Sequence, residues 1–391
     1  MEKKKIEEIV DLPPLRRAAE YLSIGSELSK QPKRAEPKTV LPTHLRRESI
    51  TESVACPILE RLHGLKTIDP AWQTGLHRTG RRLGTRSGTI DDLVLTRYSR
   101  KRIAAQALDD YQDRSVADTA TRQLAIGMLD NNPVARCCAA YGYWQATRSK
   151  SAEAVLVSGT TSDDEDERTV AAHGLAHVNI RKVRALQGTD ADDRPNTPTQ
   201  RVRPSMTVII HGTFAKDSDW YKPGGDFHTY IKNNVYPDVY SGGDFYFWSG
   251  RYSLSDDGLK RIWTRAANKL VSWVNTHPSR KLRLIAHSHG NNVVNIAMRH
   301  IQACSLIQLS PPVRSWNLPD MANVSSNRLF NIHSTIDLVV LIDGGAQNYK
   351  RTTVAASERI RKIARFGHSD SHDGGKWNRK NIPAWVTTVC Q

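Results

Sequence analysis

The pentapeptide Ala286-His287-Ser288-His289-Gly290 constrains this chain more than any other stretch, because of what stands on either side of it. Leu282 to Ile285 is short and mostly apolar, and reads as a buried strand. Asn291-Asn292-Val293-Val294-Asn295-Ile296-Ala297-Met298 has helical apolar spacing and no breaker. A strand that passes into a helix this abruptly turns too tightly for bulky side chains two residues either side of the centre, and Ala286 and Gly290 are small. Small-x-Ser-x-Gly in that setting is the pattern of a nucleophile elbow. Such a turn holds its Ser, here Ser288, on a strained backbone with the hydroxyl above the sheet, near a helix N-terminus.

The chain has 391 residues, 39% hydrophobic and 25% charged, which predicts two domains with a sizeable core. No stretch approaches the roughly 18 apolar residues of a membrane span. The segment Met1-Glu2-Lys3-Lys4-Lys5-Ile6-Glu7-Glu8 lacks the apolar run of a secretory signal, so a cytoplasmic location is expected. The five cysteines are odd in number and form no C-x-x-C pair, which argues against a disulfide framework or zinc knuckle. Net charge is +16, and part of the excess is clustered: Arg78, Arg81, Arg82 and Arg86; then Arg97, Arg100, Lys101 and Arg102; then Arg359, Arg361, Lys362 and Arg365. Such clusters suit an anionic membrane surface. Nucleic acid is disfavoured, because no zinc finger, RNA-recognition signature or Walker loop accompanies the charge.

Four regions follow from the pattern along the chain. Residues 1–90, broken by Pro13-Pro14, Pro32, Pro37 and Pro42, read as an N-terminal extension of short helices and irregular segments. Residues 91–186 turn to Ala- and Leu-rich helical spacing: 102–108, 120–129, 134–146, 152–157 and 168–178. Ala139-Ala140-Tyr141-Gly142 and Ala171-Ala172-His173-Gly174 recur at an interval of 32 residues, each behind helix-start chemistry, which resembles HEAT-like helical hairpins. His173 and His177 lie four apart on one helix, but core or groove histidines are the reading preferred to a metal site. Residues 187–205 are polar, hold three prolines and read as a linker.

From 206 to 391 strands and helices alternate, the mark of an α/β domain with a mostly parallel sheet. Strands are expected over 207–210, 244–248, 282–286, 305–309 and 328–333, with helices over 227–233, 257–276, 289–302, 357–365 and around 382–389.

Acyl transfer needs a nucleophile, a base, a group that orients the base, and donors for the oxyanion. Met206 to Ile210 runs into His211-Gly212-Thr213-Phe214, a turn whose amides near Thr213 and Phe214 can face a site above the sheet. The amide of His289, next after Ser288, is the further donor. Asp337, behind the apolar run Leu329 to Ile332, stands at a strand's C-terminal end, with Asp343 as its rival. His368 and His372, in a Gly- and Ser-rich loop, are the candidate bases, His368 preferred and His372 the alternative. His287-Ser288-His289-Gly290-Asn291 has a superficial likeness to a dinuclear zinc signature, but Asn291 and Asn292 stand where two ligands are needed. The His368-x-Asp370-x-His372 spacing lacks identifiable partners.

With these elements in this order, residues 206–391 resemble the α/β-hydrolase superfamily, in particular lipase- and esterase-like bacterial members. The resemblance rests on His211 to Phe214 with Asp217 to Phe227, Phe247-Trp248-Ser249-Gly250, Ile285 to Asn291, Ser334 to Val339 and Gly367-His368-Ser369; Ala286 departs from the Gly many members carry. It implies Ser288 as nucleophile, Asp337 as orienting acid and His368 as base, with no metal or organic cofactor. The domain is short, which predicts a shallow, poorly lidded site walled by Phe214, Trp220, Tyr221, Trp248 and Trp316.

The expected function is hydrolysis of carboxylic esters through an acyl-enzyme, the substrate an ester or lipid, with phospholipid suited to the basic clusters. The alternatives are an interaction protein, its helical domain binding a protein partner beside a vestigial hydrolase domain, and an amidase or peptidase using the same residues.

Overall fold

Mostly apolar runs too short for helices form four strands, and a charged segment adds a fifth, in one sheet: β1 (Met206–Ile210), β2 (Leu282–His287), β3 (Ser305–Leu309), β4 (Leu329–His333) and β5 (Glu358–Lys362). Their spatial order is β1-β2-β3-β4-β5, and every neighbouring pair is parallel. Every residue of β1 to β4 is buried, as expected of parallel strands covered on both faces. Several polar side chains caught in this layer are paired. Thr207 Oγ1 donates to Asp238, whose other oxygen binds Arg283 at 2.7 Å, and Gln308 donates to Asn295.

These coordinates are a computed structural model that describes residues 13–29, 116–186, 202–242, 245–325, 328–350 and 352–387. The chain divides into two compact units, Met1–Asn179 and Ile180–Gln391. The helical unit contains α1 (Pro14–Ser29), α2 (Val116–Gly127), α3 (Pro133–Thr147), α4 (Lys150–Gly159) and α5 (Glu165–Val178). Its helix starts follow from local chemistry: Asn132, Ser149 and Asp164 accept from the first-turn amides of α3, α4 and α5. α1 lies in the stretch read as an extension, yet it packs on α3, where a Cβ on Gly25 would lie 2.3 Å from the Gly142 Cα. Arg17 of α1 makes two 2.8 Å bonds to buried Asp130. His173 Nδ1 bonds the Thr169 carbonyl and His177 packs against Tyr141. The helix expected at 102–108, the two basic clusters between Arg78 and Arg102, and most of the 187–205 linker lie outside the described residues.

The α/β unit carries α6 (Ile180–Leu186), α7 (Asp226–Asn234), α8 (Asp256–Thr276), α9 (Gly290–Ala297), α10 (Leu338–Asp343), α11 (Gly374–Arg379) and α12 (Ile382–Thr387). Among the described residues, no helix is long and apolar enough to cross a membrane.

Two sequence expectations are corrected. The described part of 244–248 is not a strand: the outer edge of β1 is bridged at Thr207 by Val239, and Trp248 gives its backbone N–H to His211 Nε2 and its indole N–H to the His211 carbonyl. The helix expected over 357–365 is instead β5, which completes the open edge of β4. Its arginines are held along the edge by aromatic faces, Arg359 over Phe330 and Arg361 over Trp385, so part of the basic cluster expected on a helix protects an edge strand. In addition α9 stops at Ala297, five residues short of the 302 expected from spacing.

The sheet's C-terminal edge is shaped by two backbone contacts. A Cβ on Gly290 would fall 2.5 Å from the His211 carbonyl oxygen and 2.9 Å from that of Ile210; one on Gly212 would fall 2.6 Å from the Ser288 Cβ. The turn leaving β1 and the turn leaving β2 therefore touch through backbone, which cannot swing aside as a side chain can. Gly290→Ala is expected to lower the unfolding free energy by more than about 2 kcal/mol. Urea titration of the variant measures this, and wild-type stability would contradict the contact.

Candidate active site

Ser288 sits where β2 ends, at φ +52°, a left-handed conformation that costs a non-glycine residue on the order of 1 kcal/mol or more. Neighbouring groups impose it. The Ser288 amide donates to the Leu309 carbonyl at 2.8 Å, and Asn291 Nδ2 donates to the carbonyls of Ser288 and Leu309. Asn291, which fails as a zinc ligand, thus ties the turn to the end of β3. Ser288 is 1% exposed, and its hydroxyl has no hydrogen-bond partner among the described residues.

Asp337 and His368 come from chain segments that continue the β4–β5 pairing beyond both strands. Thr335 and Ile336 donate their amides to the carbonyls of Ala364 and Arg365, each at 2.9 Å. Asp337 is the N-cap of α10: Oδ1 accepts from the amides of Val339 and Val340, while Oδ2 lies 2.8 Å from His368 Nδ1. A carboxylate there keeps the imidazole proton on Nδ1 and leaves Nε2 as the basic nitrogen. The His368 carbonyl accepts from Ser310 Oγ at 3.0 Å and Ser371 Oγ at 3.1 Å, with His287 Nε2 at 3.4 Å, so the residue is held from its backbone as well as its ring. The alternative base, His372, does not share Asp337; its ring stacks on Trp220 at 4.2 Å and meets His287 edge-on.

The turn leaving β1 is held by His211, whose Nδ1–H donates to the Gly212 carbonyl at 2.8 Å and whose Nε2 accepts from Trp248. Rings of Tyr221 and Trp248 pack against it. One expected oxyanion donor is corrected here: the Phe214 amide donates to the Gly250 carbonyl at 3.0 Å and is committed to that bond. Thr213, 3% exposed, makes no backbone bond through its amide among the described residues, and its hydroxyl is 3.0 Å from His289 Nδ1. His289 has its amide at the start of α9, and its ring is engaged as well. Its Nε2 lies 3.3 Å from Asp343 Oδ2. Asp343, the rival acid, thus stands at ion-pair distance from a second histidine, and it accepts hydrogen bonds from Tyr252 at 2.8 Å and Arg314 at 2.6 Å.

Neither Ser310, Ser371 and His287 around His368 nor Asp343 beside His289 was assigned such a role from the sequence. No local pattern marks them, since each acts across the sheet's edge on a residue remote in the chain. The expectation of a shallow, open site is also corrected: Ser288, Thr213, His289 and His368 are all buried. Of the proposed walls, Trp248 and Tyr221 pack on His211, Trp220 on His372, Phe214 on Tyr252, and Trp316 on Trp263. Among the described residues, no group of three or more His, Cys, Asp or Glu is arranged to hold a metal ion.

Burial sets the charge states. Desolvation holds His211 down at about 4 and His333 at about 4, and pushes His287 well below the ordinary histidine value, with His368 and His372 adding to the effect. Desolvation raises Asp343 to about 6 against the opposing pull of Arg314. The fold is therefore α/β with an all-parallel sheet, and the site is a buried cluster of Ser, Thr, Asp and His at the strands' C-terminal ends. No family model, no curated protein and no solved structure matches the chain.

The buried histidines stay neutral in the folded protein, whereas unfolded histidines take up protons below pH 6.5, so their contribution to stability is complete above 6.5 and is lost as the pH falls toward 4. Asp343 acts oppositely: its folded value lies above the unfolded 3.8, so its contribution is complete below 3.8 and lost as the pH rises through 6. With four lowered histidines (His211, His228, His287 and His333) against two raised carboxylates (Asp343 and Glu358), unfolding free energy should drop between pH 6.5 and 4, with net proton uptake on unfolding. Urea titrations across that window test this; flat stability would contradict neutral buried histidines.

Proposed function

We propose that the α/β unit is a serine hydrolase of the α/β-hydrolase kind that cleaves carboxylic esters. Two observations at the strands' C-terminal ends carry the reading: the buried His368–Asp337 pair, 2.8 Å apart, and a Ser288 held at positive φ. Nucleophile, acid and base follow one another in the chain order Ser, Asp, His that this fold uses.

In the proposed reaction His368 Nε2 takes the Ser288 hydroxyl proton as Oγ attacks the ester carbonyl carbon. Asp337 stabilises the imidazolium without itself taking the proton. The oxyanion is met by the amides of Thr213 and His289, at the positive end of α9. Collapse of the tetrahedral intermediate expels the alcohol, which leaves with the proton from His368. A water molecule then repeats the sequence on the acyl-enzyme and releases the acid.

Lipid or phospholipid is the proposed ester class, on the strength of the basic character of the chain. Lys362 and Arg365 are exposed on and beyond β5, whereas Arg359 and Arg361 are partly spent on Trp385. In the helical unit, Ala139–Gly142 of α3 and Ala171–Gly174 of α5 are equally buried at the repeat interval, which favours HEAT-like pairs and a surface for a protein partner.

A fluorophosphonate probe should label the wild-type protein at Ser288, and Ser288→Ala should abolish labelling. Absence of labelling in the folded wild type would sink the proposal. Asp337→Asn should lower kcat by about 10⁴-fold. His368→Ala should be comparably damaging, while His372→Ala should cost less than about tenfold; the reverse order in ester turnover would move the base to His372.

A further inference from the structure

The α/β unit holds a second chain of Ser/Thr, His and Asp that the hydrolytic step does not use. α10 carries an aspartate at each end: Asp337 caps its start and pairs with His368, and Asp343 closes its last turn beside His289. His289 is buried completely and bridges two segments, with Nε2 3.3 Å from Asp343 Oδ2 and Nδ1 3.0 Å from Thr213 Oγ1. Asp343 is fixed in turn by Arg314, which donates to both its Oδ2 (2.6 Å) and its carbonyl (2.9 Å), and by the Tyr252 hydroxyl at 2.8 Å.

We propose that Asp343 and His289 are positioning residues that hook the Thr213 hydroxyl and so hold the Thr213 amide toward the oxyanion. This rests on the Ser288 reading above and adds a role to it. The negative charge of the carboxylate 3.3 Å away favours the His289 proton on Nε2 electrostatically, which leaves Nδ1 to accept from the Thr213 hydroxyl. That bond fixes the side chain of Thr213, whose amide has no backbone partner among the described residues, whereas the Phe214 amide is taken by Gly250. His289 thus serves twice, its amide as a donor and its ring as the anchor for the partner donor. A buried polar side chain left without its partner costs more than the bond itself contributes, so loss of any link should let the turn shift.

The device acts on the transition state, so its loss should appear in kcat with KM little changed. Asp343 is raised to about 6 by burial and faces Arg314, Tyr252 and His289, with the charge of His368 also acting on it. Protonation of Asp343 weakens the hold on His289, so the acid limb of kcat/KM in the wild type contains this titration besides that of the general base. An amide at 343 does not titrate and should remove it.

The test uses the full-length protein, p-nitrophenyl butyrate turnover and the rate of fluorophosphonate labelling. Asp343→Asn and Thr213→Val are expected to lower kcat by about 10- to 100-fold while both stay folded by circular dichroism. Thr213→Ser, which keeps the hydroxyl, should restore most of the rate, and Asp343→Asn should show an acid limb of lower slope. If Asp343→Asn fails to fold, the Thr213→Val and Thr213→Ser pair decides the matter. Wild-type protein that labels at Ser288 alongside a Thr213→Val of wild-type kcat would overturn the positioning role alone. Wild-type protein that does not label would overturn the hydrolase reading and this role with it.

Discussion

The backbone contact between the turns leaving β1 and β2 is the constraint on which the rest of the site depends. Gly290 approaches the carbonyls of Ile210 and His211, and Gly212 approaches Ser288, at distances no side chain would permit. Parallel pairing of β1 with β2 brings the two strand ends level, Ile210 opposite Ala286. The turns that follow are then forced into contact, and the strained φ of Ser288 is held there by the Leu309 and Asn291 bonds. Strain of this sort persists only where the surroundings over-determine the backbone, and here three strand ends do so.

α10 is the other organising element. Six residues long, it carries a caping carboxylate at its start and a second carboxylate in its last turn, and each faces a different histidine. The two sit in different surroundings. Asp337 is surrounded by donors, two backbone amides and an imidazole. Asp343 is raised by desolvation against its arginine and tyrosine partners. One short helix therefore links the proposed base to the proposed oxyanion turn, which makes their relative position a property of a single rigid element.

Much of the fold was legible because burial was one-dimensional in the sequence. Apolar runs too short for helices, set between helical spacings, located β1 to β4 to within a residue or two. The pattern misled where charge replaced burial. Glu358 to Lys362 reads as part of a basic helix, yet it forms a strand, because the open edge of β4 offers a ladder and Phe330 and Trp385 offer faces for the arginines. The described part of 244–248 reads as a strand and forms none, because the β1 edge is bridged at Val239 and Trp248 spends its donors on His211.

By itself the sequence determined the elbow at Ser288, the polar turn behind β1 and the aspartate behind β4, all consequences of tight local turns at strand ends. Only the tertiary structure decided that Asp337 meets His368 while His372 stacks on Trp220, that the Phe214 amide is committed to Gly250, and that His289 pairs with Asp343. The reason is physical. A turn's conformation follows from the sizes of adjacent residues, whereas a side chain's partner depends on which strand ends the sheet brings level. In this chain that juxtaposition is set by the register of five parallel strands.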